Sequence, residues 1–369
     1  MRTAFNHWLF DAFTVSPEGL GLYRITVALF ALLVLTPGHS VFTDFAFIAD
    51  LHSTFFMPPP GPMMLVPGVP PVWFFEALHL GLIVGFIALL FGYHTRTASL
   101  AVFVMLMVGY GFYFSTGKIN HYMLFVLLPL VMSASNWGAA YSMDAQAGRT
   151  TRTIHSWPLA LLALLVGFAM FTAGFSKLIG GWLDPTTQAT HGHFIKQFFS
   201  RGREDLLAPL FLNVEWAPFW ELLDWSTVGF EMGFLAAAFH PKAMRWFAGL
   251  AILFHVGTLL MMNISFVFNY VIYAAFIDWP AIAERLSSRW NLSKRRPLPA
   301  WLAGVLGSLL AGGLYLWGSP LFWFDSSAGL TSDVTWPEIG TAAVALLVVC
   351  VLAGRSLLCR YRSCLQQSA

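Results

Sequence analysis

Lys177 is the only charged side chain in an apolar run from Leu159 to Leu178. An ammonium in hydrocarbon is expensive, so an intramembrane lysine marks a site that uses it. Desolvation disfavours the charged amine, and a neutral amine takes up a proton at ordinary pH, which makes Lys177 a candidate general base. The competing reading is a lysine near a helix end whose stem lies along apolar surface while its head reaches the interface. Gly167, Gly174 and Gly181 recur every seven residues in this segment. They form one helical stripe on which a neighbouring helix can approach closely. Lys177 follows Gly174 by three positions, which turns it toward that packed side rather than toward lipid.

Other ionisable groups fall inside apolar segments. Glu76 and His79 share a helical face, Asn120 and His121 open a segment, Glu221, Asp224 and Glu231 punctuate another, and His255 lies mid-segment. Arg24 sits near the inner end of the first segment, where snorkelling accounts for it. At about 1.5 Å per residue, Glu76, His79, His121, Lys177, Glu221 and Asp224 reach the outer half of a bilayer, with His255 and Glu231 deeper. The shared depth predicts a polar cavity opening outward. Taken singly, each group also fits a buried ion pair or a capped histidine, and Lys177 itself would pair with Glu221 or Asp224. His191 and His193, with Asp184 nearby, lack a third ligand at a defined spacing, so solvated loop residues are the default and no metal is expected.

The elements that must position these groups are membrane helices. Hydrophobic residues make up 57% of the chain and charged residues 10%, against about 25% charged in a soluble domain. A bilayer span needs about 20 mostly apolar residues. Ten segments qualify: 19–36, 72–91, 97–115, 121–135, 158–179, 217–239, 244–262, 265–279, 299–317 and 336–353. The fourth and eighth are short, so the range is eight to ten. The expected fold is an all-α polytopic bundle. With ten spans and both termini cytoplasmic, fourteen Lys and Arg fall on the inner face and four on the outer, the bias that the positive-inside rule requires.

Four regions follow. Residues 1–18, with Phe5, Trp8, Leu9 and Phe13 near helical spacing, form an interfacial amphipathic segment. Residues 19–285 form the main bundle, 286–298 a basic cytoplasmic linker, and 299–369 a terminal helix pair with a basic tail. No basic stripe suggests nucleic acid. Cys350, Cys359 and Cys364 occupy no outer loop, so no structural disulfide is expected. The bilayer is an expected partner, and the oligomeric state stays open.

The run Phe171-Thr-Ala-Gly174-Phe-Ser-Lys177-Leu178-Ile-Gly-Gly-Trp182 resembles the Phe-x-Ala-Gly-x-x-Lys-Leu-x-x-x-Trp signature of the vitamin K-dependent gamma-carboxylases. More broadly it resembles the horizontally transferred transmembrane (HTTM) domain family. Asn120-His121 is similar to the family's Asn-His pair. Phe254-His255, followed by Ile264, Phe266 and Phe268, is similar to a further Phe-His segment, and Glu231 fits the sixth span. The resemblance covers roughly 15–285. It differs from the carboxylases at Ser176, where they carry a second lysine, and in having no outer cysteines. A terminal helix pair also replaces their large luminal region.

The resemblance implies a base-initiated reaction. A neutral lysine amine takes a phenolic proton from reduced vitamin K or a related quinol. Oxygen then forms an epoxide, and the strong base so produced can drive carboxylation of glutamate by carbon dioxide. It implies Lys177, His121 and His255 as catalytic residues. Asn120, Phe171, Phe175, Trp182 and Glu231 would line the cofactor, with Phe171, Phe175 and Trp182 supplying a dry wall. Partners would be a lipophilic quinol and a peptide or protein substrate. The expected setting is a bacterial inner (plasma) membrane with the site toward the outside. Two alternatives stay open: a non-catalytic HTTM-type immunity or partner protein, and a small-molecule transporter, although no paired repeat or broken helix supports the latter.

Overall fold

The structure, a computed structural model, describes residues 2–13, 15–35, 52–115, 122–290 and 336–367, with isolated positions between 302 and 313. All regular structure among the described residues is helical. The elements are α1 (Arg2–Phe10), α2 (Pro17–Phe30, continued by a π turn, Ala31–Leu35), α3 (Val72–Phe91), α4 (Thr95–Ser115), α5 (Met123–Ser133), α6 (Trp157–Ile179), α7 (Ala189–Ile195), α8 (Ala217–Ala237), α9 (Pro241–Met262), α10 (Val267–Tyr273), α11 (Trp279–Trp290) and α12 (Trp336–Gln367).

Among the described residues five helices are long and apolar enough to cross a membrane: Pro17–Leu35, α3, α4, α6 and α9. The expected short segments appear as the shorter apolar helices Met123–Ser133 and Val267–Phe276. Helix α8 has 21 residues but carries Glu221, Asp224 and Glu231. The expected segment 299–317 lies largely outside the described residues, as do Asn120 and His121. One apolar core runs through α2 to α6 and α8 to α10. Helix α12 packs on α9 and α10. The N-terminal segment is seated on the bundle: Trp8 Nε1 donates to the Ala238 carbonyl at 3.1 Å, while Phe5 and Phe10 point outward.

Helix boundaries follow from local chemistry. The Ser16 hydroxyl accepts from Gly19 N at 3.0 Å and Pro17 opens α2, the expected cap followed by proline. Gly92, at φ +65°, closes α3 in the left-handed conformation that glycine tolerates. Asn263, at φ +52°, closes α9. Its side chain accepts from Asp205 N and donates to the Asp205 carbonyl, both at 2.9 Å, which clamps the loop after α7 onto the end of α9.

Arg24 corrects the snorkelling expectation. It is 0% exposed and donates to the carbonyls of Leu89 at 2.8 Å and Tyr141 at 2.5 Å. The guanidinium thus adds a second donor to a carbonyl in the last turn of α3, which also accepts from Gly92 N at 3.1 Å. Asp144 works beside it. Its carboxylate accepts from His94 N at 2.9 Å, from Thr95 N and Oγ1 at 2.7 Å, and from Arg149 Nε at 3.0 Å, so it caps α4 from another segment. Further contacts gather the same end of the bundle: Arg152 with Glu18, Ser156 with the Phe10 carbonyl, and Arg245 with Asp278.

Burial pushes the Asp144 carboxyl up, but the hydrogen bonds from Thr95, Arg149 and His94 outweigh it and hold the group below its ordinary value. A depressed folded pKa contributes stability that is fully present above the unfolded value, about 3.9, and is lost as pH falls through the lower folded value. Asp144→Asn turns an amide N–H₂ toward donors and removes charge-assisted bonds. It is expected to lower stability by about 1.5–3 kcal/mol at neutral pH and to flatten the acid limb, as read by thermal unfolding of the detergent-solubilised protein between pH 7 and 3.

Candidate functional site between helices six, eight and nine

Of the three glycines of the expected stripe, Gly167 and Gly174 pack on α8, whereas Gly181 lies past the end of α6 at φ +80° and takes no part in the packing. A Cβ on Gly174 would stand 2.9 Å from Glu231 Cβ and 3.0 Å from Met232 N, and one on Gly167 would stand 3.0 Å from Ala238 Cβ. Glycine therefore sets the separation of the two helices. Across that seam the Lys177 ammonium donates to both oxygens of Glu231, at 2.6 and 2.5 Å. The partner is Glu231, not Glu221 or Asp224 as one sequence reading held. Glu231 is buried and Lys177 only half-buried, its side chain 23% exposed.

Trp182 covers the pair. Its backbone N–H donates to the Lys177 carbonyl at 3.1 Å as α6 unwinds, and its ring centroid lies 5.3 Å from the ammonium, within cation–π range. On the other flank of the last turn, Gly180 and Gly181 carry no side chain. No atom lies within 4 Å of where a Cβ on Gly181 would stand. Phe171 and Phe175 stack on each other with centroids 5.9 Å apart, and Phe175 is 45% exposed. At about 100° per residue, Phe175 lies roughly 160° around the helix from Lys177. The two rings therefore face away from the amine, and the aromatic wall at the ammonium is Trp182.

Below the pair lies a second polar couple. His255 Nε2 and the Tyr273 hydroxyl share a hydrogen bond at 2.9 Å, and the hydroxyl also reaches Met170 Sδ at 3.9 Å. Met170 precedes Lys177 by seven positions, so this couple sits about 10 Å deeper. The imidazole is stacked on Phe266 at 4.3 Å and on Tyr273 at 5.7 Å. Phe234, one turn beyond Glu231, stacks on the Tyr273 ring at 6.2 Å. The contacts run in the order Trp182, Lys177, Glu231 and, by way of Phe234, Tyr273 and His255. Tyr273 had no sequence signal that separates it from the tyrosines of an interfacial belt.

The remaining candidates go elsewhere. Asp224, 0% exposed, accepts from Thr190 N at 2.7 Å and Thr190 Oγ1 at 2.5 Å, tying α7 to α8. Glu221 lies one turn further out. His79 is buried and Glu76 exposed on α3, whose main packing partners are α2 and α4. His191 stacks on Trp220 at 4.5 Å and His193 lies 6.3 Å from the Trp182 ring. Asp184 accepts from Thr186 N and Oγ1, bonds that hold its carboxyl below the ordinary value. Among the described residues no group of three or more His, Cys, Asp or Glu is arranged to hold a metal.

A family model described as the HTTM domain matches residues 14–278, a span that contains all five groups of the polar file. No curated protein and no solved structure matches the chain.

Removing one member of a buried pair leaves the other uncompensated, at a cost of about 3–5 kcal/mol, whereas an apolar replacement of both is close to neutral. Lys177→Met is therefore expected to destabilise toward the lower end of that range, because the ammonium is part-exposed. Adding Glu231→Leu should restore most of the loss in thermal unfolding. Additive losses would show that the two side chains do not act as a pair.

Proposed function

The chain belongs to the HTTM domain family, a membrane domain family that includes carboxylase-related proteins, and on that premise we propose that it is a membrane enzyme in which Lys177 is the base toward a reduced quinol. When bound, such a quinol supplies an acidic phenol and the reducing equivalents that oxygen consumes. The observation that supports this reading is the lysine itself: an amine at an open mouth, against an indole face, with a buried carboxylate as its only described ion-pair partner.

The chain's residues divide the work. Glu231 is the internal proton acceptor: a proton passed from the ammonium to the carboxylate leaves a neutral amine at the mouth. A ring that displaces water there favours the uncharged pair, because the desolvation cost of two charges in a dry site offsets their attraction. Trp182 offers an apolar face for a planar ring, and the side-chain-free turn at Gly180 and Gly181 leaves room beside it. Tyr273 and His255 sit behind Glu231 and can orient or take up a proton, with Phe234 and Phe266 excluding water. Asn120 and His121 retain the roles their resemblance implies, binding the quinol oxygen and stabilising an oxyanion. Oxygen is the co-substrate, and carbon dioxide and a glutamate side chain are the acceptor half-reaction. The charge distribution favours an inner (plasma) membrane setting with the Lys177 mouth on the outer side.

A second reading has one observation in its favour. The direct two-oxygen contact of Lys177 with Glu231 also suits a purely structural ion pair in a non-catalytic immunity or partner protein.

The test is oxygen uptake and epoxide formation from reduced vitamin K by the purified protein in nanodiscs. Wild type is expected to turn over, and Lys177→Ala to lose about 10²–10⁴-fold, the range for removal of a general base, with folding checked by thermal unfolding. Equal turnover in both would remove Lys177 from the mechanism. No turnover by folded wild type would favour the binding reading.

A further inference from the structure

A cavity of about 570 Å³ opens at the end of the bundle opposite the Lys177 mouth, where the Lys and Arg side chains concentrate. Its size falls in the range of small-molecule sites, about 300–1,000 Å³. Three segments build it: the first turn of α4 with Arg96, the turn after α5 with Ser133 and Asn136, and the segment leading into α6 with Thr153, His155 and Trp157.

The walls are preassembled. Asn136 Nδ2 donates to the carbonyls of Thr151 at 3.0 Å and Thr153 at 2.6 Å. His155 N donates to the Ser135 carbonyl at 3.2 Å. These bonds tie the segment before α6 to the turn after α5. They also commit the Asn136 amide, while Trp137 Nε1 is committed to Ser99 Oγ at 3.0 Å and Thr95 Oγ1 to Asp144. The Arg96 guanidinium, the His155 imidazole, the Thr153 hydroxyl and the Trp157 indole N–H take no partner among the described residues.

No carboxylate lines the cavity, and the nearby Asp144 is committed to His94, Thr95 and Arg149. The cavity therefore presents donors and an arginine, with no anionic side chain among the described lining residues to pair with an ammonium. That chemistry fits a phosphate group, which an arginine fork binds well.

The surroundings choose between a free anion and a lipid. Trp157 is the first residue of α6, at the level where interfacial tryptophans sit. Arg96, Leu100 and Val104 recur every four residues on one face of α4. Leu100, Val104 and, on α5, Leu130 are exposed. An apolar strip thus continues from the cavity down the lipid-facing side of the bundle, where acyl chains would lie.

We propose that this cavity binds the phosphate of an anionic phospholipid headgroup, with Arg96 as its principal ligand and the α4–α5 surface holding the tails. The lack of an acidic lining residue predicts preference over zwitterionic headgroups.

The test uses the full-length protein in detergent, titrated separately with short-chain phosphatidylglycerol, short-chain phosphatidylcholine and inorganic phosphate, followed by thermal shift. Phosphatidylglycerol is expected to stabilise the wild type, with the other two much weaker. Arg96→Gln, at an exposed side chain with no described partner, should leave the unliganded melting temperature unchanged and weaken phosphatidylglycerol about tenfold or more, equivalent to about 1.4 kcal/mol. Thr153→Phe, which fills the cavity without removing charge, should produce the same loss. Equal response to inorganic phosphate would assign the site to a free anion and overturn the lipid. Equal response to phosphatidylcholine, or undiminished phosphatidylglycerol binding by both variants, would also overturn the proposal.

Discussion

The close approach of α6 and α8 is the constraint on which the site depends. No side chain fits at Gly167 or Gly174 against α8, and that close approach lets Lys177 reach Glu231 with both oxygens in range. Two charges withdrawn from water survive only if they meet. The pair therefore fixes the rotation and register of both helices as firmly as apolar packing does. Register then carries inward: with Glu231 placed, Phe234 falls against Tyr273 one turn deeper, and Tyr273 falls against His255.

The same register explains the outer part of α8. Glu231 is fourteen residues from Ala217, yet it meets a lysine only two residues from the end of α6. About 10 Å or more of α8 must therefore rise past the end of α6. That projecting stretch carries Glu221 and Asp224, and a small apolar cluster of Phe194, Phe198, Ala208, Trp220 and Met262 surrounds it. Asp224 holds α7 through Thr190, and Asn263 holds the following segment. The acidic residues of α8 thus divide into an outer pair that includes the α7 anchor and an inner one that serves the lysine.

Legibility in the sequence follows from which forces are local. The seven-residue glycine spacing announced the packed face of α6, and Lys177 beside it was read correctly as facing protein. Its partner was not, because depth was counted from each helix end as though all ends lay in one plane, which left Glu231 too deep and favoured Glu221 and Asp224. The snorkelling expectation for Arg24 fails because no sequence pattern shows that the Leu89 and Tyr141 carbonyls converge on it. Phe171 and Phe175 share the lysine's segment but not its face, a distinction the helical period could have supplied. The Asp144 cap is formed across 49 residues from Thr95, beyond any local capping signal.

Among the described residues Arg24 is a fully buried cation and Lys177 a half-buried one, and their settings differ. Arg24 is sealed: it has 0% exposure, backbone carbonyls take its terminal nitrogens, and a single methyl on Gly92 would stand 2.0 Å from one of them. That is how a cation is built when its task is to hold helix ends together. Lys177 has one carboxylate behind it, an indole beside it and open space over Gly181. Stability alone would be served by packing that side, because a partly exposed ion pair contributes less than a packed apolar contact of the same volume. An amine held on one flank and open on the other keeps its lone pair, once deprotonated, within reach of something that arrives from the bilayer. That asymmetry is what the proposed role of Lys177 as a base rests on.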